Sequence, residues 1–276
     1  MRPTAFTLIE LLVVITIVVM LLAMLMPAMD QAIYQAELTV CGARLHGVAL
    51  SAQTYAIGNK RTYPRPVSDK PGVNPDSVYS PWVLAGGGTG GADYRPALRN
   101  FLSINASLND PLSRKVDLET VIDPVNEAVW ASYTIWFGHG YPRDQGLFRV
   151  GQRWTYTDAA GNKETYSVMV SDYLNVNPTW FYASHPDRDG MAWNDFYDNQ
   201  VMKGSPPTGA KYTYSHWRGS LPDSKLKFDT NWAYEDGSVR RLNAMTTDPL
   251  ADGIGSVAVY GSRQDAATRL LLLPKD

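Results

Sequence analysis

The hydrophobic and polar positions divide the chain into a long apolar N-terminal segment and a mixed, mostly polar remainder. Between Phe6 and Met29, 24 residues carry one charged side chain, that of Glu10. At about 1.5 Å of rise per residue, a helix of this length exceeds the ~30 Å hydrocarbon core of a bilayer. The pattern predicts a membrane-spanning helix, and a charge inside such a helix is costly enough to indicate a role for Glu10.

The apolar pattern continues beyond the membrane-spanning segment with helical spacing. Positions three or four residues apart form one stripe, which predicts that the outer half of the helix packs on a globular domain. We expect one helix from about residue 6 to residue 57, with Gly58-Asn59 as a stop signal and Pro27 as a point where a kink can form. The stripe comprises Tyr34, Leu38, Cys41, Leu45, Val48, Ala52 and Tyr55.

The chain after residue 58 has the pattern of strands and turns. Short aromatic and β-branched runs are separated by residues that favour turns, and a second helix is predicted over 95–102. Turns at Asp158–Lys163 and Glu235–Gly237 join neighbouring runs. The predicted strands are Ser80–Leu84, Val129–Phe137, Gln152–Thr157, Thr165–Ser171, Lys211–His216, Asn231–Tyr234, Ser238–Leu242 and Gly255–Tyr260. The predicted fold is α+β, with one long helix packed on an antiparallel sheet.

The residues Phe6–Ile15 read FTLIELLVVI and follow the small residue Ala5. This segment resembles the N-terminus of type IV pilins and type II secretion pseudopilins. The resemblance implies that a prepilin peptidase cuts between Ala5 and Phe6 and methylates the new amine. Glu10 would then be the fifth mature residue, and Pro27 would occupy a position where pilins commonly carry proline. The five-residue leader has one basic residue, and Ala stands before the cut where the family usually has Gly.

Glu10 has a physical role in this interpretation. Cleavage would expose an ammonium group at Phe6, and Glu10 of a neighbouring subunit could pair with it when helices pack side by side. In a low-dielectric setting such a pair fixes register more than it adds net stability. We therefore expect Glu10 and Pro27 to take part in assembly.

Two other interpretations of the N-terminus stay open. One is a plain signal anchor, and the other is a secretory signal peptide cleaved near Met26–Ala28. The apolar run is longer than the 7–15 residues usual for the core of a signal peptide. Both interpretations export the rest of the chain, and Arg2 places the N-terminus in the cytoplasm by the positive-inside rule.

These patterns divide the chain into four segments. They are a prepilin leader (1–5), a transmembrane and polymerisation helix (6–29), an amphipathic extension (30–58) and an exported globular domain (59–276). A formal charge of -2 over 276 residues is not basic enough to favour nucleic acid as a partner. The single cysteine, Cys41, excludes an intramolecular disulfide, so packing or an ion must hold the domain. Cys41 is expected to be a small core residue, with an intermolecular disulfide as the alternative.

A second resemblance lies near the C-terminus. The segment Thr230–Val239 is similar to the signature of a bacterial group with pilin-like N-termini and a prepilin-processing-associated domain, which is named for His, nine residues and Asp-Gly. Here Leu226 occupies the position of the histidine, so the signature is degenerate. For Asp236 and Gly237 we favour a hairpin turn between two strands.

No motif in the sequence favours an enzyme. The glycine-rich run Gly86–Gly91 contains G-x-G-x-x-G but lacks the surrounding βαβ pattern of a dinucleotide site. The four histidines are dispersed, without H-E-x-x-H and without a local Cys/His cluster.

One acidic segment offers a candidate metal site. Its carboxylate and amide oxygens suit Ca²⁺, although the spacing is not that of an EF-hand, and a solvated acidic turn is the simpler interpretation. The candidate ligands are Asp187, Asp189, Asn194, Asp195 and Asp198. Nearby aromatic residues could stack on sugars or lie in the core, and they are Trp180, Tyr182, Trp193 and Tyr197.

The sequence predicts a structural, non-enzymatic protein. We expect a prepilin-like subunit of a type IV pilus or a type II secretion pseudopilus, with prepilin peptidase, the membrane and other pilin-like subunits as partners. It would cross the bacterial inner membrane once, with the globular domain in the periplasm or outside the cell. The alternative is a membrane-anchored or pilus-tip binding module that recognises a glycan or a secreted cargo.

Overall fold

A computed structural model describes residues 7–67, 83–86, 93–112, 117–119, 128–138, 147–157, 163–176, 180–185, 193–194, 212–214, 217–220, 226–246, 257–259 and 270–272. The helices are α1 (Leu8–Gly58), α2 (Arg95–Leu98) and α3 (Ile104–Leu108). The strands are β1 (Val83–Gly86), β2 (Ala128–Trp130), β3 (Tyr133–Ile135), β4 (Trp154–Thr157), β5 (Lys163–Tyr166), β6 (Val168–Asp172), β7 (Leu174–Val176), β8 (Trp180–Ala183), β9 (Trp193–Asn194), β10 (Tyr212–Tyr214), β11 (Trp217–Ser220), β12 (Leu226–Tyr234), β13 (Val239–Thr246), β14 (Val257–Val259) and β15 (Leu270–Leu272).

The two halves of α1 differ in environment. Every residue from Leu8 to Ile33 is exposed, and the helix continues through Pro27 without interruption. In the outer half, one face is buried, as the spacing of apolar positions predicts. Five members of the predicted stripe are buried and its end members, Tyr34 and Tyr55, are half-buried.

The buried face of α1 lies against a four-stranded antiparallel sheet with the order β13-β12-β6-β3. The β12–β13 hairpin pairs without a break from Leu226 opposite Thr246 to Ala233 opposite Val239. The inner strand β6 is buried along its whole length, which agrees with its apolar run Val168–Val170. A long N-terminal helix with an antiparallel sheet confirms the predicted α+β fold.

The other strands form smaller or more irregular sheets. One has the order β1-β2-β10, in which β10 is parallel to β2, and β4 pairs only with β5 among the described residues. A six-stranded sheet has the order β14-β15-β7-β8-β11-β9.

Three local predictions are wrong in detail. The predicted strand Thr165–Ser171 is divided at Ser167 into β5 and β6, which belong to different sheets. The predicted strand Val129–Phe137 is divided into β2 and β3, because the Ser132 N–H donates to the Leu108 carbonyl (3.3 Å) instead of continuing a ladder. The predicted helix over 95–102 is shorter, since α2 ends at Leu98.

The core between α1 and the sheet is rich in aromatic side chains. Buried indole groups are satisfied locally: Trp136 donates to Ser171 Oγ and Trp232 donates to Thr230 Oγ1, each at 2.9 Å. Eight aromatic residues therefore form part of this core. The buried ones are Tyr63, Tyr94, Tyr133, Trp136, Phe137, Tyr173, Trp232 and Tyr234.

Candidate functional site

The exposed apolar half of α1 is the first candidate site. Among the described residues, α1 is the one helix long and apolar enough to cross a membrane, judged by length and composition. Its most apolar stretch makes no buried contact within the chain, with Leu8 80% and Ile9 71% exposed. Such a continuous apolar surface requires lipid or other protein to cover it.

The start of α1 is fixed by a reciprocal cap. Thr7 Oγ1 accepts from the Glu10 N–H at 3.3 Å, and Glu10 Oε2 accepts from the Thr7 N–H at 2.9 Å and from the Thr7 hydroxyl at 2.7 Å. This is a capping box, and its T-x-x-E pattern is a signal that is readable from the sequence but is absent from the predictions made above. Glu10 therefore has a local structural role. The predicted processing residues Ala5 and Phe6 lie outside the described residues.

The outer half of α1 is held to the sheet by polar contacts as well as by packing. The Tyr34 hydroxyl donates to Asp229 Oδ2 at 2.9 Å. The Arg241 guanidinium donates to Gln35 Oε1 at 3.0 Å and to Thr39 Oγ1 at 3.3 Å. Because these contacts flank the point where α1 leaves the domain, they fix the direction in which the apolar half projects.

Asp236 and Gly237 lie in the hairpin turn between β12 and β13. Gly237 has a φ of +82°, which favours glycine, and Asp236 Oδ1 accepts from the Ser238 N–H and hydroxyl. These two hydrogen bonds lower the pKa of Asp236. Nδ1 of His46 on α1 lies 2.9 Å from the Gly237 carbonyl oxygen, so a histidine of the helix contacts this turn. Leu226, which stands where the signature has its histidine, is the first residue of β12.

The predicted calcium ligands are only partly covered by the structure. Asn194 lies in β9, paired with β11. The other four, Asp187, Asp189, Asp195 and Asp198, lie outside the described residues. The calcium site stays a prediction.

A second candidate site is a buried group of four side chains, which we call the polar cluster: Cys41, Asp110, Asp172 and His185. His185 Nε2 lies 2.8 Å from Asp110 Oδ2, 3.4 Å from Asp172 Oδ2 and 3.3 Å from Cys41 Sγ. The Cys41 thiol donates to Asp172 Oδ1 at 2.9 Å. None of the four residues is more than 5% exposed.

Four separate elements supply the polar cluster. Cys41 lies on the buried stripe of α1, and Asp110 follows the end of α3. Asp172 is the last residue of β6, and His185 comes directly after β8. The cluster therefore lies where α1, the four-stranded sheet and the six-stranded sheet meet.

Burial and mutual charge perturb all four groups. Burial lowers the pKa of His185, but the carboxylates of Asp110 and Asp172 outweigh this effect and raise it to about 10. Burial also opposes ionisation of Asp110, yet the charge of His185 leaves its pKa below the usual value. Burial raises the pKa of Asp172 to about 6 and raises that of the Cys41 thiol. Without an ion, His185 is an imidazolium between two carboxylates.

The polar cluster is not predicted from the sequence. Cys41 has the pattern of a small core residue and the histidines are dispersed, whereas metal and catalytic motifs are recognised by short spacings. Here Cys41 and His185 are 144 residues apart. The one signal for the cluster in the sequence is weak. It is a single cysteine on the buried face of a helix, in a chain that cannot form an intramolecular disulfide.

Comparisons of this chain with family models, with curated proteins and with solved structures find no match.

Proposed function

We propose that this protein is a prepilin-like subunit whose N-terminal helix anchors it in a membrane and packs against the same helix of other subunits. The observation that carries the proposal is the apolar half of α1, which is fully exposed and continuous with a half that is packed on the domain. The FTLIELLVVI segment at its start adds the resemblance to prepilins.

The exposed surface supports assembly for a physical reason. Exposure of the apolar side chains of Leu8–Ile33 to water is unfavourable in free energy, and lipid would cover them while the subunit is in the membrane. In a fibre, neighbouring helices would replace the lipid. The subunit needs a rigid junction between helix and domain for this, and the contacts of Tyr34 and Arg241 supply one.

Glu10 can serve both its own helix and a neighbour. Both hydrogen bonds from Thr7 go to Oε2, so Oε1 remains available to the ammonium group that processing would create at Phe6 of the next subunit. A pair of this kind would set the axial stagger between subunits.

The two roles of Glu10 can be separated by matched variants. Glu10→Gln keeps a capping-box residue but removes the charge, whereas Thr7→Ala removes the cap and keeps the charge. We would express each full-length variant in the native host and measure cross-linked oligomers in membranes and sheared surface fractions. If Glu10 pairs with a neighbouring amine, Glu10→Gln abolishes the ordered cross-links and Thr7→Ala retains them.

The opposite pattern would contradict the assembly role of Glu10. If Thr7→Ala abolishes cross-links and Glu10→Gln leaves them intact, Glu10 acts as a cap. If no oligomer of the unmodified protein is captured under any condition, the subunit proposal itself is wrong.

The remaining features follow from this proposal. Arg2 would keep the N-terminus in the cytoplasm, and the domain would face the periplasm or the outside of a bacterial cell. Prepilin peptidase and other pilin-like subunits would be the partners, in a type IV pilus or a type II secretion pseudopilus.

A further inference from the structure

We propose that the polar cluster is a structural zinc site, in which Cys41 Sγ, His185 Nε2 and one carboxylate oxygen each from Asp110 and Asp172 bind a single Zn²⁺. The ion would clamp the outer half of α1 to the strands beneath it. The proposal stands on the donor set, the distances, the surrounding hydrogen bonds and one buried hydroxyl.

The donor set selects the class of metal. Thiolate, imidazole and carboxylate groups are the ligands of Zn²⁺ in proteins, and four of them complete a closed tetrahedral site. Ca²⁺ and Mg²⁺ take oxygen ligands, so sulfur and nitrogen in the same group argue against both. The softness of the thiolate favours zinc among the abundant divalent ions.

The distances suit a tetrahedral ion after a small outward movement. With bonds of about 2.0–2.3 Å, ligand atoms of a tetrahedral zinc site lie about 3.3–3.6 Å apart. His185 Nε2 is already 3.3 Å from Cys41 Sγ and 3.4 Å from Asp172 Oδ2. The distance from His185 Nε2 to Asp110 Oδ2, 2.8 Å, and that from Cys41 Sγ to Asp172 Oδ1, 2.9 Å, must lengthen by about half an ångström. Asp172 would present one of its two oxygens to the ion, and ligand atoms of the four residues lie within 4.8 Å of one another.

Hydrogen bonds around the cluster orient the ligands as metal sites require. His185 Nδ1–H donates to the Asp229 carbonyl at 2.7 Å, so that loss of the Nε2 proton on metal binding would leave the Nε2 lone pair directed into the cluster. Asp172 Oδ2 accepts from the Asn231 N–H, and Asp110 Oδ1 accepts from the backbone N–H two residues further along the chain at 2.7 Å. A backbone donor thus holds one oxygen of each carboxylate. The second oxygen of each carboxylate, or a second lone pair, is left to bind an ion.

A buried hydroxyl lies beside the cluster. The Tyr133 side chain is fully buried, and its hydroxyl is within reach of a hydrogen bond with the Cys41 thiol. It lies close enough to Cys41, Asp110 and Asp172 for their charges to raise its pKa further than burial alone. In a metal-bound site this hydroxyl would donate to the Cys41 sulfur, as the outer hydrogen-bond donors of metal ligands do.

A closed zinc site would act as a cross-link. The cluster joins residues far apart in the chain, since Cys41 and His185 are separated by 144 positions, and the chain has one cysteine and so no internal disulfide. Metal binding of this kind stabilises the folded state because the unfolded chain has no preformed site. The burial of all four ligands leaves no open position for a substrate, which assigns the ion a structural role.

The first test uses the full-length protein in detergent without any substitution. We expect elemental analysis to find one zinc per chain. Removal of zinc by a chelator should lower the Tm by roughly 10 °C, and added Zn²⁺ but not Ca²⁺ should restore it. Replacement by Co²⁺ should give the visible spectrum of a tetrahedral site and a near-ultraviolet band from thiolate-to-cobalt charge transfer.

Variants then assign the ligands. Cys41→Ser keeps the size of the side chain and should lose the charge-transfer band, and Asp110→Asn should lower zinc affinity by ~10-fold or more. His46→Gln is the matched control, because His46 lies on the same helix but is exposed and bonded to the Gly237 carbonyl. This control should keep one zinc per chain.

Several results would overturn the proposal. A wild-type protein that contains no zinc and takes up none on titration, with a Tm unchanged by chelator, would show that the cluster is a metal-free hydrogen-bonded network. Co²⁺ binding without a charge-transfer band in the wild type would exclude Cys41 as a ligand. Full zinc content in both ligand variants would place the ion elsewhere.

Discussion

The attachment of α1 to the domain can be tested by shortening one buried leucine. Leu45 is fully buried on the inner face of α1 within the main core. Leu45→Ala removes three buried carbons, which cost about 2.4 kcal/mol at ~0.8 kcal/mol per carbon. A cavity of some tens of Å³ adds about 1 kcal/mol at ~24 cal/mol per Å³, so we expect a loss of about 3 kcal/mol.

The matched control is Leu50→Ala, the same substitution on the same helix at a side chain that is 52% exposed. Because helix propensity changes equally at both positions, the difference between the variants reports burial alone. Leu50→Ala should change the free energy of unfolding by less than about 0.5 kcal/mol. The assay is urea unfolding of the full-length protein in detergent, followed by tryptophan fluorescence. Equal losses in the two variants would refute the packing of this face on the domain.

Two further predictions concern glycines and pH. In Gly138→Ala the new Cβ would clash with the Pro64 carbonyl oxygen at a φ of +81°, so the free energy of unfolding in urea should fall by at least about 2 kcal/mol. Gly47→Ala is the control, because its new Cβ would meet nothing within 4 Å, and it should raise the free energy of unfolding by up to ~1 kcal/mol. Equal effects of the two substitutions would contradict this geometry. After zinc removal, the raised pKa of His185 contributes stability that is complete below about pH 6.5 and is lost as the pH rises through about 10. Thermal unfolding of the chelated protein across this window should therefore show a falling Tm, and a Tm that rises with pH would contradict the Asp110–His185 pairing.

The elements that the sequence predicts well are those with a local signal. The buried face of α1 follows from a spacing of three and four residues, and the β12–β13 hairpin follows from apolar runs on each side of Asp236-Gly237. The end of α1 is also readable, because the helix ends at Gly58 and Asn59 is its C-cap, as the stop signal Gly58-Asn59 predicts. The turn that follows is not readable, since Lys60 and Arg61 have φ values of 53° and 61°, which side chains other than glycine seldom adopt.

The polar cluster could not be predicted because its members meet only through tertiary packing. Cys41 has the pattern of a core residue, and Asp110 and Asp172 follow different elements without any common spacing. His185 lies after β8, a strand that the analysis of the sequence did not identify. Only the folded arrangement of α1 and the sheets brings a thiol, an imidazole and two carboxylates within bonding range of one ion.

The proposed role requires that this helix belongs to a processed, assembling subunit. The most direct measurement is the intact mass and N-terminal sequence of the protein purified from its native membranes. We expect a chain that begins at an N-methylated Phe6. An uncut chain beginning at Met1 would contradict processing and indicate a static anchor, and a start near Met29 would identify a signal peptide and contradict the prepilin assignment.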